Sequence, residues 1–393
     1  MTETKKRALE DSWIYFLLII LFCFNLFGRG SIVCLVFSLF ALLKMRDKLV
    51  IDGTGVAVLI FTAAAFISAF ANYGIVAAIQ CLNFGFMYVI GLNGYYNSDD
   101  KSKYLQRFFF ALFAGFFSIV LFIIIWNFDN EVVLGQRLAV NPWSGEYINV
   151  TLVGLLCSVL IGYFFYATFI NKNLFLRIIS IVSIVAVIAV NVQTSTRTPI
   201  VLLAIIMAIM VFLYLKDSKN KRAARIVLAI SIVGGVLFFA YYLDILGLQS
   251  AVESTPIYQR FEEEGMDTRR TEVFVDHLRY MIKYPLGGEH IRETVEMDAH
   301  NLLQQCYDLY GAPAFLVLAV IFVDFIKNLI LLFKLKERKS FDYLFISMYI
   351  IFLIQVCLEP VFTGYPCFFF SLLMFHGTAN AYLKKEKGLG AGK

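Results

Sequence analysis

The sequence predicts an all-α fold: a polytopic transmembrane helical bundle of about twelve spans, with one long extracytoplasmic loop containing amphipathic helices. Three observations predict it. Hydrophobic residues make up 60% of the 393 residues and charged residues only 16%, whereas a soluble domain is nearer half apolar and a quarter charged. The apolar residues fall in repeated runs of roughly 15–25 residues, the length that crosses a hydrocarbon core of about 30 Å. A β-barrel would show short alternating segments instead. The basic residues lie between those runs and favour alternate sides.

In chain order the spans are expected at 12–27, 30–43, 51–71, 74–93, 108–126, 148–170, 177–193, 198–215, 226–247, 310–333, 342–358 and 364–382. The first two are short enough to be a tilted or re-entrant pair. Ser31 and Cys34 open another apolar run rather than a cleavage site, so the first span is expected to be retained. With the N-terminus placed in the cytoplasm, every short inner segment is basic, from Lys5, Lys6 and Arg7 through Lys101, Lys103 and Arg107 to Lys384, Lys385 and Lys387. Of the 34 Lys and Arg residues only Arg29, Arg137, Arg197, Arg260, Arg269, Arg270, Arg279, Lys283 and Arg292 fall on the other side. Both termini are then cytoplasmic. The net charge of +5 mostly reflects these topogenic residues and implies no nucleic-acid partner. Six of the seven cysteines lie in or beside spans and no CxxC occurs, so neither a zinc site nor a disulfide framework is indicated.

The chain reads as one integral membrane domain over 1–393, with no repeat. Two outer segments stand out, 127–147 and the long loop at about 248–309. In that loop, Thr268 to Tyr284 reads as an amphipathic helix with Phe274, Leu278, Met281 and Ile282 on its apolar stripe. Pro285-Leu-Gly-Gly288 stops it. Such a helix lies along the membrane surface or caps the bundle. A second short helix is expected from Asp298, as its N-cap, to Tyr310, ended by Gly311-Ala-Pro313.

His300 then falls in the first turn of the second helix. The positive helix end disfavours imidazolium, which leaves a neutral ring able to accept a hydroxyl proton. The competing reading is that Asp298, His300 and Asn301 only cap the helix, and position alone favours it. Arginines form the second constellation. Arg197 stands in Gln193-Thr-Ser-Thr-Arg-Thr-Pro199, Arg260, Arg269 and Arg270 in the long loop, and Arg137 in the shorter one. All lie on the side that topogenesis disfavours for positive charge, and guanidinium is the natural fork for phosphate oxygens. Pairing with Glu262, Glu263, Glu264 or Asp267 is the alternative, least so for Arg197, whose neighbours are uncharged. Inside the spans, ionisable groups are scarce. Asp324 and Lys327 can pair at i,i+3, and the scarcity counts against a proton-driven carrier.

Four stretches together resemble the O-antigen ligase/O-antigen polymerase superfamily of bacterial membrane glycosyltransferases. They are Arg137-Leu-Ala-Val-Asn-Pro142, which lacks the family's usual intervening glycine, Thr194-Ser-Thr-Arg-Thr198, Arg270 through Tyr284-Pro-Leu-Gly-Gly288, and Ala299-His-Asn-Leu…Tyr310-Gly311. The likeness runs from about 130 to 335. It implies a metal-independent, cofactor-free transfer on the outer face of the bacterial inner membrane. The donor would be a glycan on undecaprenyl pyrophosphate and the acceptor a glycan or lipid hydroxyl. A flippase and a chain-length regulator are the implied partners, besides membrane lipid. The resemblance implies catalytic roles for His300, Arg270 and Arg197. Substrate binding would fall to Arg137, Arg260, Asn301 and His277, while His290 and His376 read as structural. The motifs do not separate a polymerase, which the reading favours, from a ligase acting on lipid A-core or another acceptor. Two rivals stand outside the class: a polysaccharide flippase or exporter, which needs a charged cavity and repeats, and a non-catalytic membrane scaffold, for which the outer arginines and His300 are dispensable.

Overall fold

The structure is a computed structural model that describes residues 13–128, 138–217, 240, 242–264, 270–284, 286–287, 291, 294 and 299–388. Its helices are α1 (Trp13–Cys23), α2 (Gly30–Met45), α3 (Gly53–Tyr73), α4 (Ile75–Asn97) and α5 (Lys101–Trp126). A hairpin of β1 (Leu138–Val140) and β2 (Tyr147–Asn149) leads into α6 (Val150–Phe165), α7 (Leu174–Gln193) and α8 (Thr198–Asp217). The short α9 (Leu248–Glu253) and α10 (Pro256–Glu264) precede α11 (Arg270–Lys283). The chain closes with α12 (Leu302–Phe333), α13 (Ser340–Leu358), α14 (Val361–Gly364) and α15 (Pro366–Lys387). Among the described residues eight helices, α3 to α8 with α12 and α13, are long and apolar enough to cross a membrane. α1 and α2 are apolar but have only 11 and 16 residues. α15 has 22 residues, but Ser371, His376, Thr378 and Asn380 dilute its apolar run. The expected ninth span lies largely outside the described residues.

The chain divides into two compact units. The first holds Met1–Ile119, Arg269–Lys334 and Phe352–Lys393. Its centre is a close crossing of α4 and α15. A Cβ on Gly91 would strike the Met374 carbonyl, and one on Gly377 would strike that of Tyr88. The two backbones thus touch at both glycines, and the Thr378 hydroxyl donates to the Gly91 carbonyl at 3.1 Å across the same seam. Close to it Phe61, Phe84, Phe369, Phe362 and Tyr310 form one aromatic cluster, with centroids 4.8 to 6.3 Å apart. It ties α3, α4, α12, α14 and α15 together, and edge-to-face pairs of this kind add to the area they bury.

α12 is one helix by its hydrogen bonds but bends at Gly311, whose φ of 79° and ψ of 178° only glycine adopts readily. The break falls where Gly311-Ala-Pro313 is expected to end a short helix. The short helix and the tenth span are therefore two arms of one kinked element. Its start differs from expectation. The N-cap is Asn301, whose carboxamide accepts from the amides of Leu303 at 2.9 Å and Gln304 at 3.4 Å. Asp298 lies outside the described residues, and His300 stands before the cap rather than in the first turn. An extended Asn at φ −145° satisfies the first helical amides itself, so the helix begins at Leu302.

The second unit holds Val120–Thr268 and Leu335–Ile351. Its hairpin is antiparallel, pairing Leu138 with Asn149 and Val140 with Tyr147. Asn127 at the end of α5 completes the edge: Val140 donates its amide to Oδ1 at 2.7 Å and accepts from Nδ2 at 3.1 Å. This small β element is the one departure from an all-α chain among the described residues. Elsewhere in the unit Asp217 takes the Arg338 guanidinium at 2.7 Å and the Tyr343 hydroxyl at 2.7 Å, which locks the end of α8 to the start of α13.

Candidate functional site

The long-loop motifs meet in the first unit, where α11 docks on the first arm of α12. α11 forms because Glu272 in its first turn and Lys283 in its last oppose the helix dipole. It is held by polar contacts on one face. Gln304 Nε2 donates to the Phe274 carbonyl at 3.0 Å. The Tyr307 hydroxyl faces the carbonyls of Met281 at 3.0 Å and Tyr284 at 2.8 Å, and so serves the orphan acceptors at the helix end. Between these, His277 Nδ1 lies 2.9 Å from Asp308 Oδ2, with both side chains buried. Gln304, Tyr307 and Asp308 recur at helical spacing on α12, and they meet residues spaced the same way on α11.

This docking leaves the expected apolar stripe of α11 largely uncovered among the described residues. Val273 and His277 are buried, while Phe274 is 42%, Leu278 40% and Ile282 83% exposed. The side chains that make hydrogen bonds, rather than the most apolar ones, set the rotation. His277, expected to bind substrate, is fully buried against Asp308.

The turn after α11 closes the arrangement. A Cβ on Gly287 would lie 2.7 Å from the Gly311 Cα, and one on Gly311 would run into the Leu286 carbonyl. The glycine turn after α11 and the glycine kink of α12, which belong to two separate motif stretches, are thus in backbone contact.

At the open end of the docked pair, His300, Asn301, Gln304, Phe274, Cys357 and Leu358 line a small pocket of about 70 Å³. His300 and Asn301 are half-buried. Below them Gln305 spends its amide on α14, donating to the Thr363 hydroxyl at 2.7 Å and accepting from the Phe362 amide at 2.7 Å. A pocket of this size, walled by an imidazole and two carboxamides on a fixed backbone, suits a hydroxyl rather than a whole sugar ring. When neutral, an imidazole there can accept a hydroxyl proton.

Sequence reasoning passes over three polar residues near this pocket. Asp308 is buried, and its Oδ1 has no hydrogen-bond partner among the described residues. Gln355 and Glu359, one turn apart around the pocket-lining Cys357 and Leu358, are 1% and 2% exposed. Neither amide atom of Gln355 is bonded among the described residues. A lone acid or amide on an apolar helix is the signal that marks such positions.

The arginines divide. Arg197 belongs to the second unit, half-buried, in the residue before α8, and its carbonyl takes the Val201 amide at 3.1 Å. Its approach is fixed by Ser195 at φ 55° and by the bonded hydroxyls of Thr194 and Thr196, 3.0 Å apart. The Thr196 methyl packs against Gly154 of α6. Arg270 and Arg260 are carried by α11 and α10, and their side chains lie outside the described structure, as do Arg137 and His290.

The first unit also holds a part-buried polar chain. His376 Nε2 lies 3.2 Å from Asp324 Oδ2, which also accepts from Thr54 at 2.9 Å and Asn380 at 3.2 Å. Asn380 donates to the Tyr88 hydroxyl, and Tyr88 donates to Asp52, the partner of Lys384 at 2.6 Å. Lys327, expected beside Asp324, is 4.0 Å away, so His376, Thr54 and Asn380 are its shorter contacts.

No protein-family model matches the chain, and no curated protein matches it.

Proposed function

We propose that the chain is a bacterial inner-membrane glycosyltransferase of the O-antigen ligase/polymerase type. It would have about twelve spans, both termini in the cytoplasm and the segment 248–309 outside. It would act on undecaprenyl-pyrophosphate-linked oligosaccharide in cell-surface polysaccharide synthesis. One observation carries the reading. The two long-loop stretches that resemble the family pack on each other through Gly287 and Gly311, and hold His300 and Asn301 at a pocket.

In this reading an acceptor hydroxyl enters the pocket and attacks the anomeric carbon of the donor. Its oxygen forms the new glycosidic bond, the bond to the pyrophosphate oxygen breaks, and His300 takes the hydroxyl proton. Asn301 and Gln304 orient the acceptor. Arg270 is the proposed partner of the leaving pyrophosphate, whose growing charge guanidinium stabilises. Arg197, Arg137 and Arg260 are proposed as further phosphate-binding residues on sequence grounds.

The test is the membrane glycan profile of a deletion strain complemented with wild type or His300→Ala at matched abundance. Loss of a general base lowers turnover about 10²- to 10⁴-fold. A ladder with wild type and single lipid-linked repeats with His300→Ala identify a polymerase. Long chains left on the carrier lipid identify a ligase. A mutant that behaves as wild type leaves His300 structural and favours the scaffold. The part-buried chain from Lys384 to His376 gives the exporter reading its one observation. That reading requires His376→Leu to stop glycan translocation while His300→Ala leaves it intact.

A further inference from the structure

In the first unit α1 and the start of α5 frame a groove of about 410 Å³, distant in sequence from the His300 motif. Trp13, Phe16, Leu17 and Ile20 line it from a single face of α1, at i, i+3, i+4 and i+7. Arg107 and Ala111, one turn apart, line it from α5. The helices run side by side in the same direction and touch at Gly115, where a Cβ would stand 2.8 Å from the Ile20 carbonyl. One turn back, the small side chain of Ala111 leaves the space that opens toward Trp13 and Arg107.

Among the described residues the wall has a single charge. Arg107 is half-buried, with its guanidinium 5.9 Å from the Phe16 ring centroid. Among the described residues no carboxylate lies within ion-pair distance of it. Lys103 precedes it by four residues on the same helix face. Trp13, at the same end, is 69% exposed, and its indole suits the membrane–water boundary. The groove is therefore cationic at its mouth and apolar along its length, over about 10 Å of helix.

We propose that this groove binds one anionic glycerophospholipid, with its phosphate on Arg107, assisted by Lys103, and an acyl chain along Phe16, Leu17 and Ile20. Both halves of the groove are needed: among the described residues no carboxylate neutralises the guanidinium, and the apolar wall lies on helices of a membrane bundle. A free anion would leave the wall uncovered, and a zwitterionic lipid would bring an ammonium to Arg107.

The full chain carrying Trp126→Phe and Trp143→Phe leaves Trp13 as the one tryptophan. Reconstituted in vesicles, its fluorescence is quenched by brominated phosphatidylglycerol or brominated phosphatidylcholine. The expected association constant is about fivefold higher for the anionic lipid, the effect of one basic residue at a membrane surface. Arg107→Gln should bring the ratio close to one, and Arg107→Lys should keep most of it. Native mass spectrometry of the otherwise unaltered chain gives a second reading, in which phosphatidylglycerol stays bound to wild type and is lost from Arg107→Gln. A ratio near one in the parent chain, or an undiminished ratio in Arg107→Gln, overturns the proposal.

Discussion

Replacing Asp308 should release α11 from α12 while leaving the rest of the first unit folded. Two neutral contacts hold the helix, Gln304 on the Phe274 carbonyl and the Tyr307 proton shared between two carbonyls. Each contributes about 1 kcal/mol. Between them lies the buried His277–Asp308 pair. Removing one partner leaves the other buried without its counterpart, which costs about 1–3 kcal/mol. Asp308→Ala should therefore loosen the docking of α11. Asp308→Asn keeps a polar group beside His277 and should cost about 1.5 kcal/mol or less. Hydrogen exchange on the full chain in detergent reads this directly. In local opening, a loss of 3 kcal/mol speeds exchange of residues 270–283 by about a hundredfold, and 1.5 kcal/mol by about tenfold. The double change His277→Phe with Asp308→Leu should exchange more slowly than either single variant, since neither group is stranded. Exchange of 270–283 within about threefold of wild type in Asp308→Ala would refute the reasoning. So would an acceleration spread evenly over α3, α4 and α15.

Three further outcomes follow from the same geometry. Gly311→Ala forces a side chain onto a φ of 79° and into the Leu286 carbonyl, and should cost about 3 kcal/mol or more. Gly145, with a similar φ but open space around it, should cost only about 1 kcal/mol as Ala; thermal melts of the two variants check the difference. Gly91→Ala drives α4 from α15 and should lower folded yield and melting temperature, whereas Gly53→Ala, with nothing near its Cβ, should leave both unchanged. Asn301→Ala removes the α12 cap and should cost about 1 kcal/mol, while Asn301→Asp keeps the cap and the stability. If Asn301 also orients an acceptor, Asn301→Asp melts as wild type yet loses glycan assembly; a normal glycan profile would reduce Asn301 to a cap.

What the sequence displays and what it hides follow from the range of the physics involved. Span length and apolarity are local demands of the bilayer, so α3 to α8, α12 and α13 lie where hydropathy puts them. The kink at Gly311 is also local, a glycine followed by Ala-Pro in an apolar run. Pairs between distant positions leave no local trace. Asp52 with Lys384, Asp324 with His376 and His277 with Asp308 each read singly as an isolated polar residue. The rotation of α11 was hidden for the same reason. Its apolar stripe of Phe274, Leu278 and Ile282 is a one-helix property, but its orientation is decided by Gln304, Tyr307 and Asp308 on another element. The consequence for the site is specific. An imidazole in the first turn would have faced open helical amides, but Asn301 takes the amides of Leu303 and Gln304 for itself. The cap and the candidate base are therefore two residues with two jobs, not one motif with a single purpose. On the proposed roles, His300→Ala and Asn301→Asp should lose glycan assembly without losing the fold.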